Sequence, residues 1–270
     1  MHWLLAPLRA VAFSLHVLLG IAIVVAIFPL IGQASRNRIN QQWSRILIAF
    51  TGARVVAGGV PLAEAVRRDG VETTSSGRLV LANHISWLDI FAINAVLPSR
   101  FVAKAEIGDW PLLGVLVSRS GTLYIERGRR HAVAAINQTV REHLQSGETI
   151  VVFAEGTTTD GSALLPFHSN LIAPAIDVGA GIWPIAIRYT ERGERSLAAA
   201  FIGEIGILTS LARVLVAREL VIEVTVLAPI TLAGARDRHT IARAARSAIA
   251  KHLVVEDTMA QSPMPADHAS

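Results

Sequence analysis

Six short apolar runs, separated by stretches with helical periodicity, constrain the fold of this 270-residue chain more than any other feature. The runs lie at 78–82, 101–103, 122–125, 149–153, 182–187 and 221–228, and segments such as 87–97 and 130–145 between them have helical patterns. "LVLA" and "TIVVF" are apolar without alternation, which is typical of strands covered on both faces. The pattern predicts an α/β fold with a mixed, largely parallel sheet flanked by helices.

Composition excludes several classes of site. Hydrophobic residues make up 52% of the chain and charged residues 17%, and there is no cysteine. The absence of cysteine excludes a disulfide framework, a zinc–thiolate site and a cysteine nucleophile. The formal net charge is only +4, and the few aromatic residues are not interleaved with basic ones. We therefore expect no nucleic-acid partner, and an anionic lipid surface suits the charge better.

The segment 10–32 carries no formal charge over 23 positions and is long enough to cross a bilayer. The alternative is a secretory signal that begins at Arg9, but its apolar region would be too long and no small-x-small cleavage site follows. We expect a membrane anchor. Arginines are more frequent after the segment than before it, which predicts that the rest of the chain faces the cytoplasm from the inner membrane. Those that follow it are Arg36, Arg38, Arg45 and Arg54.

A second apolar segment, 43–56, is too short to span a membrane. One interpretation is an interfacial helix with Trp43 and Arg45 at headgroup level, and the other is a first helix packed on the domain. We divide the chain into N-terminal membrane-anchoring helices (1–58), a catalytic domain (59–254) and a disordered tail (255–270).

Residues 83–91, "NHISWLDIF", join a histidine to an aspartate at the predicted exit of a buried strand. Ser86 and Asp89 have the spacing of a helix cap, so Asp89 can simply cap the next helix. The carboxyl end of such a strand is, however, where α/β sheets place their ligands. A carboxylate on one nitrogen of His84 would fix the tautomer and leave the other nitrogen as a base.

Three other predicted strands also end in residues suited to a binding or catalytic site. "FVAK" ends at Lys104, "TLYIER" ends at Glu126 and Arg127, and "TIVVF" is followed by Glu155 and Gly156. Charged residues are frequent at strand ends, so one such strand end is weak evidence for a site. Four strand ends of this kind in this order are specific evidence for one.

With these motifs the sequence resembles the PlsC-type glycerolipid acyltransferases, the lysophosphatidic acid acyltransferase family. The resemblance covers roughly residues 40–230, and the family's four ordered motifs all have a match in it. The H-x4-D motif matches His84 and Asp89, the second matches "TLYIER" with Arg127, and the fourth, a hydrophobic strand with a proline, matches "WPIAI" around Pro184. The third, usually Phe-Pro-Glu-Gly-Thr-Arg, matches "FAEGTT" at Phe153, Glu155, Gly156 and Thr157.

Two positions depart from the family pattern. Ala154 replaces a proline, and Thr158 stands where many members have an arginine thought to meet the acceptor's phosphate. The run "EGTTTDGSALLPFHSNL" looks more like a branch with lyso-ornithine lipid acyltransferases and bacterial lysophospholipid acyltransferases. The resemblance therefore implies the chemistry more firmly than the acceptor headgroup.

The resemblance implies a membrane-bound O-acyltransferase that moves a fatty acyl group from acyl-CoA or acyl-ACP to a lysophospholipid hydroxyl. We place lysophosphatidic acid first as acceptor and lyso-ornithine lipid second. No cofactor or metal is expected, and the partners are the two substrates, the bilayer and, for one donor, acyl carrier protein. A lipid-binding module without catalysis is the alternative of another class.

Roles for individual residues follow from the same resemblance. His84 is expected to act as the base and Asp89 to orient it and balance its charge. Lys104 and Arg127 are cationic contacts for a phosphate. Backbone amides near Gly156 and Thr157 are candidate oxyanion donors, and Glu155 either binds an acceptor hydroxyl or holds its loop.

Overall fold

The computed structural model of this protein describes residues 5–60, 77–110, 113–125, 130–231 and 237–254. The helices are α1 (Ala6–Ala26), α2 (Gln33–Thr51), α3 (Leu88–Val96), α4 (Leu113–Arg119), α5 (Arg130–Gln145), α6 (Ala173–Asp177), α7 (Ile207–Val216) and α8 (Arg238–Leu253). The strands are β1 (Arg54–Gly59), β2 (Arg78–Ala82), β3 (Arg100–Lys104), β4 (Leu123–Ile125), β5 (Thr149–Phe153), β6 (Gly181–Glu191), β7 (Glu194–Arg195) and β8 (Leu220–Val226). Short 3₁₀ helices cover Phe28–Leu30 and Ala105–Asp109.

The strands form one mixed sheet in the order β1-β8-β6-β2-β5-β3-β4, with β7 paired to β6. From β6 to β4 every neighbouring pair is parallel, and β8 runs antiparallel to β6. The predicted α/β class and mixed, largely parallel sheet are confirmed.

Each face of the sheet packs against its own helices. In β2, Val80 and Ala82 belong to the core under α3 and α7, while Leu79 and Leu81 belong to the core under α5 and α8. All four side chains are fully buried. Burial on both faces is the physical reason that this strand has no apolar–polar alternation.

The strand β1 differs from the prediction for residues 43–56. The helix that starts at Gln33 ends at Thr51, because Gly52 adopts a left-handed conformation (φ 84°) and closes it. The chain then enters the sheet at Arg54, where β1 pairs with β8. The second apolar segment is therefore helical over 43–51, and only its last residues, 54–56, belong to the edge strand.

Helix α2 packs on the domain through buried side chains in its second half. Trp43 is buried against α1, and its indole N–H donates to the carbonyl of His16 at 3.2 Å. Arg45 donates to the carbonyl of Ala95 at 2.9 Å, which satisfies an orphan acceptor at the end of α3. Of the two interpretations of this segment, the structure supports the packed helix.

Helix α1 is closely fastened to α2. His16 Nε2 lies 3.0 Å from the Trp43 carbonyl, and the two rings stack with centroids 5.0 Å apart. A Cβ on Gly20 would lie 2.6 Å from the Trp43 indole nitrogen, so only glycine permits this approach. Among the described helices, one stretch of 25 residues, Ala6–Leu30, is long and apolar enough to cross a membrane.

Candidate active site

The sheet order brings the predicted motifs to one edge. Strands β2, β5, β3 and β4 are consecutive neighbours and all parallel, so their carboxyl ends lie together. His84 follows β2, Glu155 follows β5 and Lys104 closes β3. Arg127 lies outside the described residues. The topology thus places three of the four predicted strand-end segments side by side at the edge where α/β sheets bind ligands.

His84 and Asp89 form a direct pair. The Nδ1 atom of His84 lies 2.8 Å from Oδ2 of Asp89, and the carboxylate is fully buried. The same oxygen accepts the backbone amides of Ile85 at 2.7 Å and Ser86 at 2.9 Å. Both interpretations of the motif therefore hold at once, because one carboxylate closes the turn before α3 and binds the imidazole.

Tyr189 completes the shell around Asp89 and was not found from the sequence. Its hydroxyl donates to Oδ1 of Asp89 at 2.6 Å, across 100 residues of chain. Burial first, and then the negative charge of Asp89, raise the pKa of Tyr189 well above its ordinary value. The hydroxyl therefore keeps its proton and remains a donor. In sequence Tyr189 is only another buried position of β6, which carries no signal for this contact.

The imidazole of His84 is held in place by stacking and is partly exposed. It stacks on the ring of Phe153, with centroids 3.8 Å apart and planes 10° apart. Asn83 fixes the strand exit beside it by exchanging two hydrogen bonds with the backbone of Ile187, at 2.8 and 3.0 Å. The side chain of His84 remains 18% exposed. Since Nδ1 faces Asp89, Nε2 is the nitrogen available to a substrate.

Glu155 holds backbone amides of two segments. Its Oε1 accepts the amide of His84 and its Oε2 the amide of Leu165, both at 2.9 Å, and the residue is only 3% exposed. Burial raises the pKa of Glu155, while the two amide hydrogen bonds and the nearby His84 oppose that shift. The sequence left two roles open for Glu155, binding an acceptor hydroxyl or holding its loop. The contacts in the structure are those of a residue that holds its loop.

The loop after Glu155 wraps over His84. Gly156 has φ 71°, a conformation that favours glycine, and its amide donates to the carbonyl of Phe153 at 3.0 Å. The Thr159 amide donates to the carbonyl of His84 at 2.8 Å. Thr157 between them is exposed. Its amide has no protein acceptor within the part of the chain that the structure describes, which makes it a better candidate oxyanion donor than the amide of Gly156.

The contacts of the predicted cationic positions are less defined than those of the His84–Asp89 pair. Lys104 is exposed at the end of β3. Thr158, at the position of the family's arginine, donates its hydroxyl to the carbonyl of Phe201, whose own amide donates to Ile85 at 2.9 Å. Within the described ranges, no three His, Asp or Glu side chains are close enough to hold a metal ion.

Comparison with known proteins gives consistent findings. The family model described as Acyltransferase matches residues 63–188. A 1-acyl-sn-glycerol-3-phosphate acyltransferase of Neisseria gonorrhoeae is 40% identical over 166 residues, which are 62% of this chain. The chain spans just under two thirds of that protein's length, 65%. A lyso-ornithine lipid O-acyltransferase of Pseudomonas aeruginosa is 36% identical over 214 residues, 79% of this chain and 78% of the relative.

A solved structure has the same fold. The crystal structure of the 1-acyl-sn-glycerophosphate (LPA) acyltransferase PlsC from Thermotoga maritima superposes with a TM-score of 0.67. The match covers 94% of this chain and 97% of that one at 17% identity, so it bears on the architecture alone.

Proposed function

Because this chain belongs to the PlsC-type acyltransferase family, we propose that it transfers a fatty acyl group from a thioester to the free hydroxyl of a lysophospholipid. The observation that carries the proposal is the His84–Asp89 pair, in which Nδ1 is bound to a buried carboxylate and the ring is partly exposed, which leaves Nε2 for a substrate. A lipid-binding module has no need for a histidine arranged in this way.

In the proposed reaction His84 acts as general base. Nε2 takes the proton of the acceptor hydroxyl while that oxygen attacks the thioester carbonyl carbon. The tetrahedral intermediate collapses to the ester, the C–S bond breaks, and the thiolate recovers the proton from His84. Proton transfer of this kind contributes about 10²–10⁴ in rate. Asp89 stabilises the imidazolium between the two transfers, and the Thr157 amide is the proposed oxyanion donor.

The choice of acceptor depends on the cations that would contact its headgroup. A phosphate monoester favours several cations at close range, and Lys104 and Arg127 are the proposed contacts. The missing arginine at Thr158 removes one charge-assisted bond, worth roughly 1.5–3 kcal/mol. We place lysophosphatidic acid first and lyso-ornithine lipid second, and both acceptors occur among the names of the relatives. The donor is acyl-CoA or acyl-ACP, and acyl carrier protein is a partner only in the second case.

The test is release of free thiol from each donor over a panel of lysolipids, with the full-length protein in detergent or vesicles. We expect stoichiometric thiol and ester products with at least one acceptor. Thiol release without ester, or none above background for every pair, would contradict the function and favour the lipid-binding alternative. The variant Thr158→Arg, run on the same panel, should shift preference toward the phosphate acceptor.

We also propose that α1 holds the protein to the cytoplasmic face of the inner membrane by entering one leaflet. Large apolar side chains between Leu5 and Leu30 are exposed, as a lipid-facing helix requires. However, α2 lies against α1 and its first half, "QASRNRINQQ", is polar. If α1 crossed the bilayer in this arrangement, these polar side chains would enter the hydrocarbon region at high cost.

Cysteine labelling distinguishes the two geometries cleanly because the native chain contains no cysteine. For entry into one leaflet, Leu5→Cys should be protected from an impermeant maleimide in intact cells and labelled after detergent lysis. The exposed Ser162→Cys serves as the cytoplasmic control. Labelling of Leu5→Cys from outside would establish a spanning helix instead.

A further inference from the structure

Arg246 is a buried arginine of α8, far in sequence from every motif of the proposed site. It is 4% exposed, and its guanidinium donates from Nε to the carbonyl of Leu165 at 3.0 Å and from Nη2 to the carbonyl of Leu164 at 2.6 Å. An arginine is seldom buried to this degree unless its donors are satisfied. Its fork thus fixes the backbone of residues 164 and 165 from the far end of the chain.

The segment held by Arg246 is the one that holds Glu155. The amide of Leu165 donates to Oε2 of Glu155, and the other oxygen of that carboxylate accepts the amide of His84. A continuous series of hydrogen bonds therefore runs from α8 through Leu165 and Glu155 to the backbone of the proposed base. The family match ends at residue 188, so α8 lies outside it.

Charge supports the same connection. His84 and Asp89 act electrostatically on Glu155, and Glu155 in turn acts electrostatically on Arg246. Burial and the negative charge of Asp89 raise the pKa of Glu155, and the positive charge of Arg246 is attracted to the ionised carboxylate. An ionised Glu155 can accept both amides, whereas a protonated one offers a hydroxyl in place of one acceptor. Arg246 thus favours the form that holds His84.

We propose that Arg246 is a positioning residue, which sets the placement of His84 through Leu165 and Glu155 without touching substrate. The proposal rests on the proposed acyl transfer. Since a displacement of about 1 Å can cost 10²-fold in rate, loss of this support should lower kcat by about 10- to 100-fold. KM for donor and acceptor should stay within about twofold of the wild-type values, because no binding group changes.

The variant Arg246→Met removes the charge and the donors and keeps an unbranched apolar stem. Arg243→Met is the matched control, since Arg243 lies one turn earlier on α8 and is exposed. We expect a fall in kcat for the first and wild-type kinetics for the second. Arg246→Lys retains the charge but not the fork and should recover part of the rate. If Arg246→Met does not fold, Arg246→Lys decides, and wild-type kcat in Arg246→Lys would then overturn the proposal.

A double-mutant cycle separates positioning from a merely structural role. In a Glu155→Gln background, Arg246→Met should cause less than about a twofold further loss of kcat, because the connection is already broken. A loss as large as in the wild-type background would show that Arg246 acts by another route, and would overturn the proposal.

Hydrogen exchange gives a readout that does not depend on activity. Exchange at the amides of His84 and Leu165 should accelerate in Arg246→Met and remain unchanged in Arg243→Met. If the wild-type protein shows no acyl transfer but Arg246→Met shows this exchange response, the proposed function is refuted and the structural connection from Arg246 to His84 stands. Active wild type with unchanged kcat and exchange in Arg246→Met would refute the connection alone.

Discussion

His16 in α1 and His84 after β2 have similar immediate surroundings and different partners. Each ring stacks on an aromatic side chain, Trp43 for His16 and Phe153 for His84. Each also has one ring nitrogen in a hydrogen bond, at 3.0 Å for His16 and 2.8 Å for His84. The partner of His16 is the main-chain carbonyl of Trp43, whereas the partner of His84 is the carboxylate of Asp89.

The partner decides what each ring can do. A carbonyl only accepts, so Nε2 of His16 must carry the proton, and within the part of the chain that the structure describes no carboxylate forms an ion pair with this ring. A carboxylate stabilises the positive ring, and the partial exposure of His84 admits a substrate. A stacked, hydrogen-bonded histidine is therefore a candidate base only when an anion binds its other nitrogen.

The largest effect is expected from replacing His84, the histidine that is paired with a carboxylate. His84→Ala removes the base and should lower kcat by at least about 10³-fold, because both proton transfers are lost. Thiol release at saturating donor and acceptor measures it, with the unfolding midpoint as a check on folding. Turnover close to the wild-type value would contradict the mechanism outright.

Asp89→Asn tests the anion itself. It keeps the size of the side chain but removes the charge that balances the imidazolium, and its NH2 group places a donor against either Ile85 or Tyr189, which both donate to the carboxylate. We expect a loss of about 10²-fold in kcat, leaving measurable activity. An unchanged rate would mean that the buried carboxylate only closes the turn before α3.

His16→Ala tests the histidine whose partner is a main-chain carbonyl. It removes one hydrogen bond and the stacking on Trp43, so the free energy of unfolding should fall by about 1–3 kcal/mol. The specific activity of folded protein should stay within about twofold of wild type. Thermal unfolding in detergent and the thiol assay measure the two quantities. A large loss of activity at full stability would show that α1 contributes to the site.

The smallest effect is expected from Tyr189→Phe, which removes a hydrogen bond to Asp89. It deletes the hydroxyl that donates to Oδ1 of Asp89, and it keeps the ring in the core. A single hydrogen bond to a charged group contributes about 1.5 kcal/mol, so kcat should fall about tenfold. Steady-state kinetics measure it, with Tyr124→Phe, at an exposed hydroxyl contact with Ser118, as the control. Equal rates for the two variants would remove Tyr189 from the site.

What the amino-acid sequence determines here is local. The strands 78–82 and 149–153 were predicted with their observed bounds, because side chains buried on both faces leave uninterrupted apolar runs. The pairing of His84 with Asp89 was also predictable, since a single turn between a strand and a helix brings positions five residues apart together. The residue roles beyond that contact remain predictions.

Other features were decided by tertiary structure alone. Tyr189 reaches Asp89 because β6 pairs with β2, and Arg246 reaches the Glu155 loop because α8 packs on the same face of the sheet as α5. Trp43, predicted as a surface anchor in one interpretation, is buried because α1 lies on it. Such contacts depend on which strand lies next to which and which helix covers it. A local pattern of apolar residues shows that a side chain is buried but does not specify the side chain that it meets.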